Sequence, residues 1–101
     1  MRTLLKVSLE VEASNKAIID GTLGKIIDST VAAIHPEASY FLAENGRRTG
    51  FFVFDLKDVS DIPRIAEPFF LKLNAEVTFV PAMNHEDLKK GLQLWRESAT
   101  R

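Results

Sequence analysis

The chain of 101 residues contains no cysteine, which excludes disulfides, thiolate catalysis, iron–sulfur clusters and cysteine-ligated zinc sites. An excess of either charge is also absent, since 13 lysines and arginines stand against 14 aspartates and glutamates. Long-range attraction of a polyanion needs a positive excess, so we expect no nucleic-acid partner. The missing cysteines are compatible with a reducing compartment, and we expect a cytoplasmic protein.

Long apolar runs are missing as well. Lys6, Ser8 and Glu10 interrupt the apolar residues near the N-terminus, unlike the continuous core of a secretory signal. No window approaches the roughly 20 apolar residues that cross a bilayer, so we expect no membrane partner. A composition of 46% apolar and 27% charged residues is typical of a globular protein, and the length predicts one domain, residues 1–101.

Residues 39–56 organise the rest of the chain, because two strand-like runs flank the dipeptide Asn45-Gly46. Asparagine and glycine tolerate the positive φ angles that a type I′ turn needs, so a tight hairpin is predicted. Alternating apolar residues predict one strand before the hairpin and one after it. The four predicted strands are 5–11, 39–44, 48–56 and 76–81.

The first predicted helix follows strand one. Ser14 is its expected N-cap, apolar residues recur at spacings of three and four, and His35-Pro36 ends it. Gly21 and Gly24 lie within it, and each costs about 1 kcal/mol relative to alanine. They predict either close packing against the sheet or a locally weak helix.

Two further helices complete the pattern. The second is predicted to begin at Ser60 or Asp61, with a kink or a delayed start at Pro68. Asn84 caps the last helix, and Asp87 completes a capping-box-like pair. This order predicts an α+β fold, a ferredoxin-like split βαβ sandwich (βαββαβ plus a C-terminal helix) with its helices on one face of an antiparallel sheet.

The third predicted strand is apolar on both faces, because Phe51, Phe52, Val53 and Phe54 follow one another. A sheet with water on one side alternates apolar and polar residues instead. Leaving two phenylalanines exposed forfeits roughly 1.5–3 kcal/mol each, which two sheets recover by packing face to face. We therefore expect a homodimer through the sheet face, in the region of Phe51, Phe52 and Phe54. The alternative is a monomer whose last helix covers that face with Trp95.

This element order, length and doubly apolar third strand resemble the dimeric α+β barrel superfamily, in which two small subunits form one barrel. The runs GRRTGFFVFDLKDVSDIPRIAEPFF and NAEVTFVPAMNHEDLKKGL resemble a group of small uncharacterised bacterial proteins with that fold. The superfamily includes antibiotic-biosynthesis-type monooxygenases, haem-degrading enzymes, muconolactone isomerases and members without known activity. The resemblance therefore implies an architecture and not a chemistry.

Polar groups near apolar residues are the candidates for chemistry. The only histidines, His35 and His85, lack the spacing of a metal pair, and we expect neither a metal nor a cofactor. The candidate catalytic residues are His35, Tyr40 and Glu67, the last as a general base whose pKa an apolar cleft would raise. Their structural interpretations are helix-end packing for His35 and a surface ion pair with Arg64 for Glu67. The expected ligand-binding residues are Tyr40, Arg64, Phe69 and Phe70.

On the strand face opposite the core, Lys6 and Glu76 belong to strands that are neighbours in this topology. They predict a cross-strand ion pair on a wet face or, alternatively, a polar lining inside a barrel of two chains.

We expect a small homodimeric protein that binds a small, apolar organic ligand between sheet and helices. The first alternative is a cofactor-independent monooxygenase or isomerase of the same superfamily, in which His35, Tyr40 or Glu67 transfers a proton. The second is a protein-interaction module with an apolar patch around Trp95. An RNA-recognition module shares the topology, but the spacing of the aromatic residues in 50–54 and the net charge of −1 disfavour it.

Overall fold

A computed structural model describes residues 1–100, which form an antiparallel sheet of four strands together with four helices. The strands are β1 (Arg2–Ser8), β2 (Ala38–Glu44), β3 (Arg47–Asp55) and β4 (Glu76–Pro81). The helices are α1 (Val11–Asp20), α2 (Thr22–Ile34), α3 (Asp61–Leu73) and α4 (His85–Ala99). The strand order β2-β3-β1-β4 confirms the α+β class and is compatible with a ferredoxin-like arrangement. Within residues 1–100, no helix has both the length and the apolarity that a membrane span requires.

The hairpin between β2 and β3 has the predicted turn. Asn45 and Gly46 adopt φ angles of 55° and 76°, the positive values that a type I′ turn needs at both central residues. The turn sets the register of the two strands, which begins with Glu44 opposite Arg47. It therefore determines which side chains of β3 face the helices.

The N-terminal part departs from the prediction. The first strand spans Arg2–Ser8 and not 5–11, and Val11 is the first residue of α1. Leu9 is buried, and its N–H donates to the Arg48 carbonyl at 2.9 Å, so its side chain keeps the alternation although the strand has ended. Ser14 is not the cap. Its side chain is buried, and its Oγ donates to the Val11 carbonyl inside the helix.

The single helix predicted between the first two strands is divided in two at Gly21. The glycine has φ 82° and follows α1, and its N–H donates to the Ile18 carbonyl at 3.4 Å. The N–H of Thr22 then donates to Asp20 Oδ1, and the hydrogen bonds from Thr22 lower the pKa of that carboxyl. A Cβ on Gly21 or Gly24 would meet nothing within 4 Å, so close packing does not explain these glycines. The glycine at position 21 is explained by its positive φ angle, which residues with a side chain adopt only with strain.

The last two helices begin where predicted, and Pro68 does not delay the start of α3, the second of the two outcomes that the proline allowed. α3 starts at Asp61, runs through Pro68 and ends at Asn74, whose φ is 46°. At the start of α4, Asn84 Oδ1 accepts from the Asp87 N–H at 2.8 Å, and the Asn84 N–H donates to Asp87 Oδ2 at 3.0 Å. These two bonds form the predicted capping box.

The core lies between the sheet and helices α1, α2 and α3. Leu5, Phe52 and Phe69 are completely buried there. Because side chains alternate along a strand, Phe51 and Val53 point to the other face, where they are half-buried. Of the three phenylalanines expected at the partner surface, Phe52 and Phe54 belong instead to the core of the chain, and Phe51 alone lies on the open face.

Every residue of helix α4 is exposed, and the helix is tied to the rest of the described chain at its first turn, where Arg2 Nη1 pairs with Asp87 Oδ2 at 2.8 Å. The monomeric alternative, in which this helix covers the open sheet face with Trp95, is therefore not adopted: Trp95 is 67% exposed. The radius of gyration is 16.6 Å, against about 13 Å for a compact domain of 100 residues. The molecule measures 60 × 28 × 19 Å, an elongated shape that agrees with a helix extending from the domain.

Alanine substitution at the two helix glycines tests the break between α1 and α2. Gly21→Ala should destabilise the protein by about 1–2 kcal/mol, because alanine must adopt the left-handed region. Gly24→Ala should stabilise it by up to about 1 kcal/mol, because Gly24 lies inside α2 with space around it. Urea unfolding measures both values, and the same sign of change at the two sites would contradict the assigned break.

Candidate ligand site

The most apolar cavity of the described chain lies between the β2–β3 side of the sheet and helix α2. Its volume is about 440 Å³. Strands β2 and β3 and helix α2 supply most of its wall, and β1 with the residue after it and α3 supply the rest. The lining residues are Val7, Leu9, Leu23, Ile27, Phe41, Leu42, Ala43, Arg48, Thr49, Gly50, Phe52 and Phe69. A volume in this range, with apolar walls and few polar groups, is typical of small-molecule sites.

The sheet wall of the cavity depends on Gly50. Phe41 lies opposite Gly50 across the β2–β3 register, and its ring packs edge-to-face on Phe52 with centroids 5.6 Å apart. A Cβ on Gly50 would lie 3.3 Å from both rings, closer than ordinary contact distance. The absent side chain therefore makes room for the Phe41 ring, which is half-exposed at the edge of the cavity.

The helix wall consists of Leu23 and Ile27, which are one turn apart on α2 and half-buried. Both residues follow the break at Gly21, after which α2 begins at Thr22. Phe69 of α3 is fully buried and closes the inner end. Rigid elements thus hold the apolar groups on every side except the opening.

Arg48 is the one charged residue in the cavity wall. It lies at the start of β3, on the same side as Gly50 and Phe52, and is exposed. Its Nη1 donates to Ser14 Oγ at 2.7 Å and to Asn15 Oδ1 at 2.8 Å. Both acceptors are neutral, so the guanidinium is oriented by α1 while its charge has no carboxylate partner within 4 Å among residues 1–100.

A second groove, of about 550 Å³, lies between α2 and α3. Three cations, Lys25, Arg64 and Lys72, line it together with hydroxyl groups. All three are exposed, and Arg64 Nη2 pairs with Asp61 Oδ1 at 3.1 Å. This groove has several charged and hydroxyl groups and lacks aromatic walls, so the cavity beside α2 is the better candidate for an apolar organic ligand.

The four predicted ligand-binding residues do not form one site. Phe69 lines the apolar cavity, whereas Arg64 lies in the groove between α2 and α3. Tyr40 is 69% exposed on the open sheet face, opposite Phe51. Phe70 is half-exposed on α3 and lines none of the cavities described above.

The three candidate proton-transfer residues are also apart. His35 follows α2 with φ 46° and is exposed beside Leu56. Glu67 is exposed on α3, and the partner of Arg64 there is Asp61 and not Glu67. Together with Tyr40 on the other side of the sheet, they assemble no common pocket. His85 is an exposed first residue of α4.

The open sheet face has a polar end. Lys6 Nζ reaches Glu44, and it lies 5.6 Å from the centroid of the Phe51 ring. The cross-strand partner suggested by the sequence, Glu76, is instead 3.9 Å from Arg47. The ion pair with Glu44 on β2 thus holds the Lys6 side chain over the Phe51 ring, which its methylene groups cover.

Phe41 and Arg48 define the opening of the cavity, and neither is among the ligand-binding residues predicted from the sequence. The hairpin register carries the signal, since Phe41 is opposite Gly50 and both share a face with buried Phe52. Among residues 1–100, no group of three or more histidine, aspartate or glutamate side chains is placed to hold a metal ion. Compared with models of known protein families, with curated proteins and with solved structures, the chain matches none.

A double-mutant cycle tests the packing of the sheet wall. Gly50→Ala should cost about 1–3 kcal/mol by crowding the two rings. In a Phe41→Leu background the cost should fall by at least about 0.5 kcal/mol, because one of the two rings that a Cβ on Gly50 would crowd has been removed. Urea unfolding of the four proteins gives the coupling, and additive effects would contradict the described contact.

Proposed function

We propose that this protein binds a small, largely apolar organic molecule with one acidic group, in the cavity between the sheet and α2. The observation that supports this is a cavity of about 440 Å³ whose walls are aliphatic and aromatic, with a single cation at its opening. Apolar surface removed from water contributes about 25 cal/mol per Å², so these walls supply affinity without a specific polar pattern.

The environment of Arg48 is the reason for proposing an acidic group on the ligand. Its two hydrogen-bond partners, Ser14 and Asn15, orient the guanidinium but leave its charge uncompensated. A carboxylate or a similar anion on the ligand would form the charge-assisted hydrogen bonds that neutral partners cannot. The site therefore suits a molecule with its apolar body against Phe41 and Phe69 and its anion toward Arg48.

Binding is better supported than catalysis. The hydroxyl of Thr49 donates to the Arg47 carbonyl, and the other wall residues except Arg48 have no group that transfers a proton. His35, Tyr40 and Glu67 lie elsewhere on the molecule. No observation favours the monooxygenase or isomerase alternative.

We further propose that two copies pack their open sheet faces together, as in an α+β barrel. Leu4 lies between Val53 and Val80 in the strand registers, and Phe51 is the next outward residue on β3. These neighbours form a continuous apolar row that α1, α2 and α3 do not cover. Its burial against the same row of a second copy stabilises a closed two-fold dimer.

Ligand binding is tested with naphthoate and with its neutral amide, naphthamide, as probes in isothermal titration calorimetry. Naphthoate should bind the wild type, and Arg48→Ala should weaken it about tenfold to a hundredfold by removing a charged hydrogen-bond donor. The affinity for naphthamide should change little. Arg47→Ala is the matched control, because Arg47 precedes Arg48 on β3 and lies on the open face.

Ile27→Phe completes the test by filling the helix wall of the cavity. It should abolish the binding of both probes while the protein remains folded. Binding that survives Ile27→Phe, or that Arg47→Ala and Arg48→Ala weaken equally, would contradict the proposed site.

The homodimer is tested by light scattering after size-exclusion chromatography. The wild type should have a mass of about twice 11.3 kDa. Val53→Arg should give a monomer, because it places a charge in the centre of the apolar row. Val59→Arg, at an exposed position just before α3, should remain a dimer. A wild type that is monomeric at every concentration would refute the proposal.

A further inference from the structure

Helix α4 has an apolar stripe that the rest of the described chain leaves exposed. Leu88, Leu92, Trp95 and Ala99 recur at spacings of four, three and four, which places them along one side of the helix. All four are exposed. Leu94 lies outside this stripe, about a third of a turn away from it.

A free helix of this kind is not stable by itself. Fifteen residues are marginal for an isolated helix in water, and Gly91 in its middle lowers the helix preference further. The capping box stabilises only the first turn. Packing of the stripe on another surface is therefore needed to account for the remaining turns.

The start of α4 is anchored to the sheet. Arg2 on β1 donates to Glu37 and to Asp87, each at 2.8 Å. Glu37 and, to a lesser extent, Asp87 raise the pKa of Arg2. These contacts hold the first turn at the end of β1, next to the open face, while the stripe extends beyond the domain.

The size of the open face points to a second copy as the partner. Its four strands present roughly fifteen outward positions, whereas a stable interface uses about 20–30 residues a side. The stripe of α4 and its flanking residues bring the total into that range. A lipid surface is less suitable, because α4 has three basic and three acidic residues and thus no positive excess.

We propose that α4 is an exchanged arm, whose stripe of Leu88, Leu92 and Trp95 packs on the second copy of the chain. This inference rests on the proposed homodimer and extends its interface beyond the two sheets. By two-fold symmetry each copy gives one arm and receives one, so the open sheet face and the stripe of α4 are both buried in a closed assembly.

Trp95 is the only tryptophan and therefore reports on the arm directly. In the wild-type dimer its fluorescence should be shifted to the blue and quenched by iodide several-fold less than in the monomeric Val53→Arg variant. Leu92→Glu should weaken the dimer at least about tenfold, as expected for a charge replacing a buried leucine. Leu94→Glu is the matched control, since Leu92 and Leu94 are 52% and 54% exposed.

The outcomes separate the arm from the dimer. A wild-type dimer with freely quenched Trp95, or with equal effects of Leu92→Glu and Leu94→Glu, would overturn the arm and leave the dimer intact. A wild type that is monomeric would refute the dimer and the arm together. Protection of Trp95 that persists in the monomeric Val53→Arg variant, or that appears only with lipid vesicles, would overturn the arm as well.

Discussion

The packing of three helices on one face of the sheet is the constraint on which the other features depend. Phe52 and Phe69 meet in that layer and are completely buried, together with Leu5 of the central strand β1. Because side chains alternate along β3, burial of Phe52 forces Phe51 and Val53 to the opposite face. The same alternation places Arg48 and Gly50 at the cavity, so the site and the open face have a common origin.

Much of the fold could be predicted because local chemistry decides it. Asn45-Gly46 selects its turn, and Asn84 with Asp87 selects the start of α4, whatever the rest of the chain does. The break at Gly21 is harder to predict, since a glycine within an amphipathic pattern is compatible with a continuous helix. Strand one was misplaced because Leu9 remains buried after the strand ends.

The site was harder to predict than the fold. Tyr40 was selected for its hydroxyl, whereas its neighbour Phe41 is the residue at the cavity. The choice between them depends on which face of the hairpin is buried, and a strand that is apolar on both faces gives no answer by its pattern alone. Arg48 is not among the predicted ligand-binding residues, because its orientation depends on neutral partners on α1, in tertiary contacts across 33 and 34 residues of sequence.

The central claim is that helices cover one face of the sheet while a second copy of the chain covers the other. Isotope-filtered nuclear Overhauser spectra of a mixture of labelled and unlabelled chains test it directly. The account predicts contacts between chains at the methyl groups of Val53 and Leu4, and none at the buried ring of Phe52. Spectra without contacts between chains at Val53 and Leu4 would contradict it.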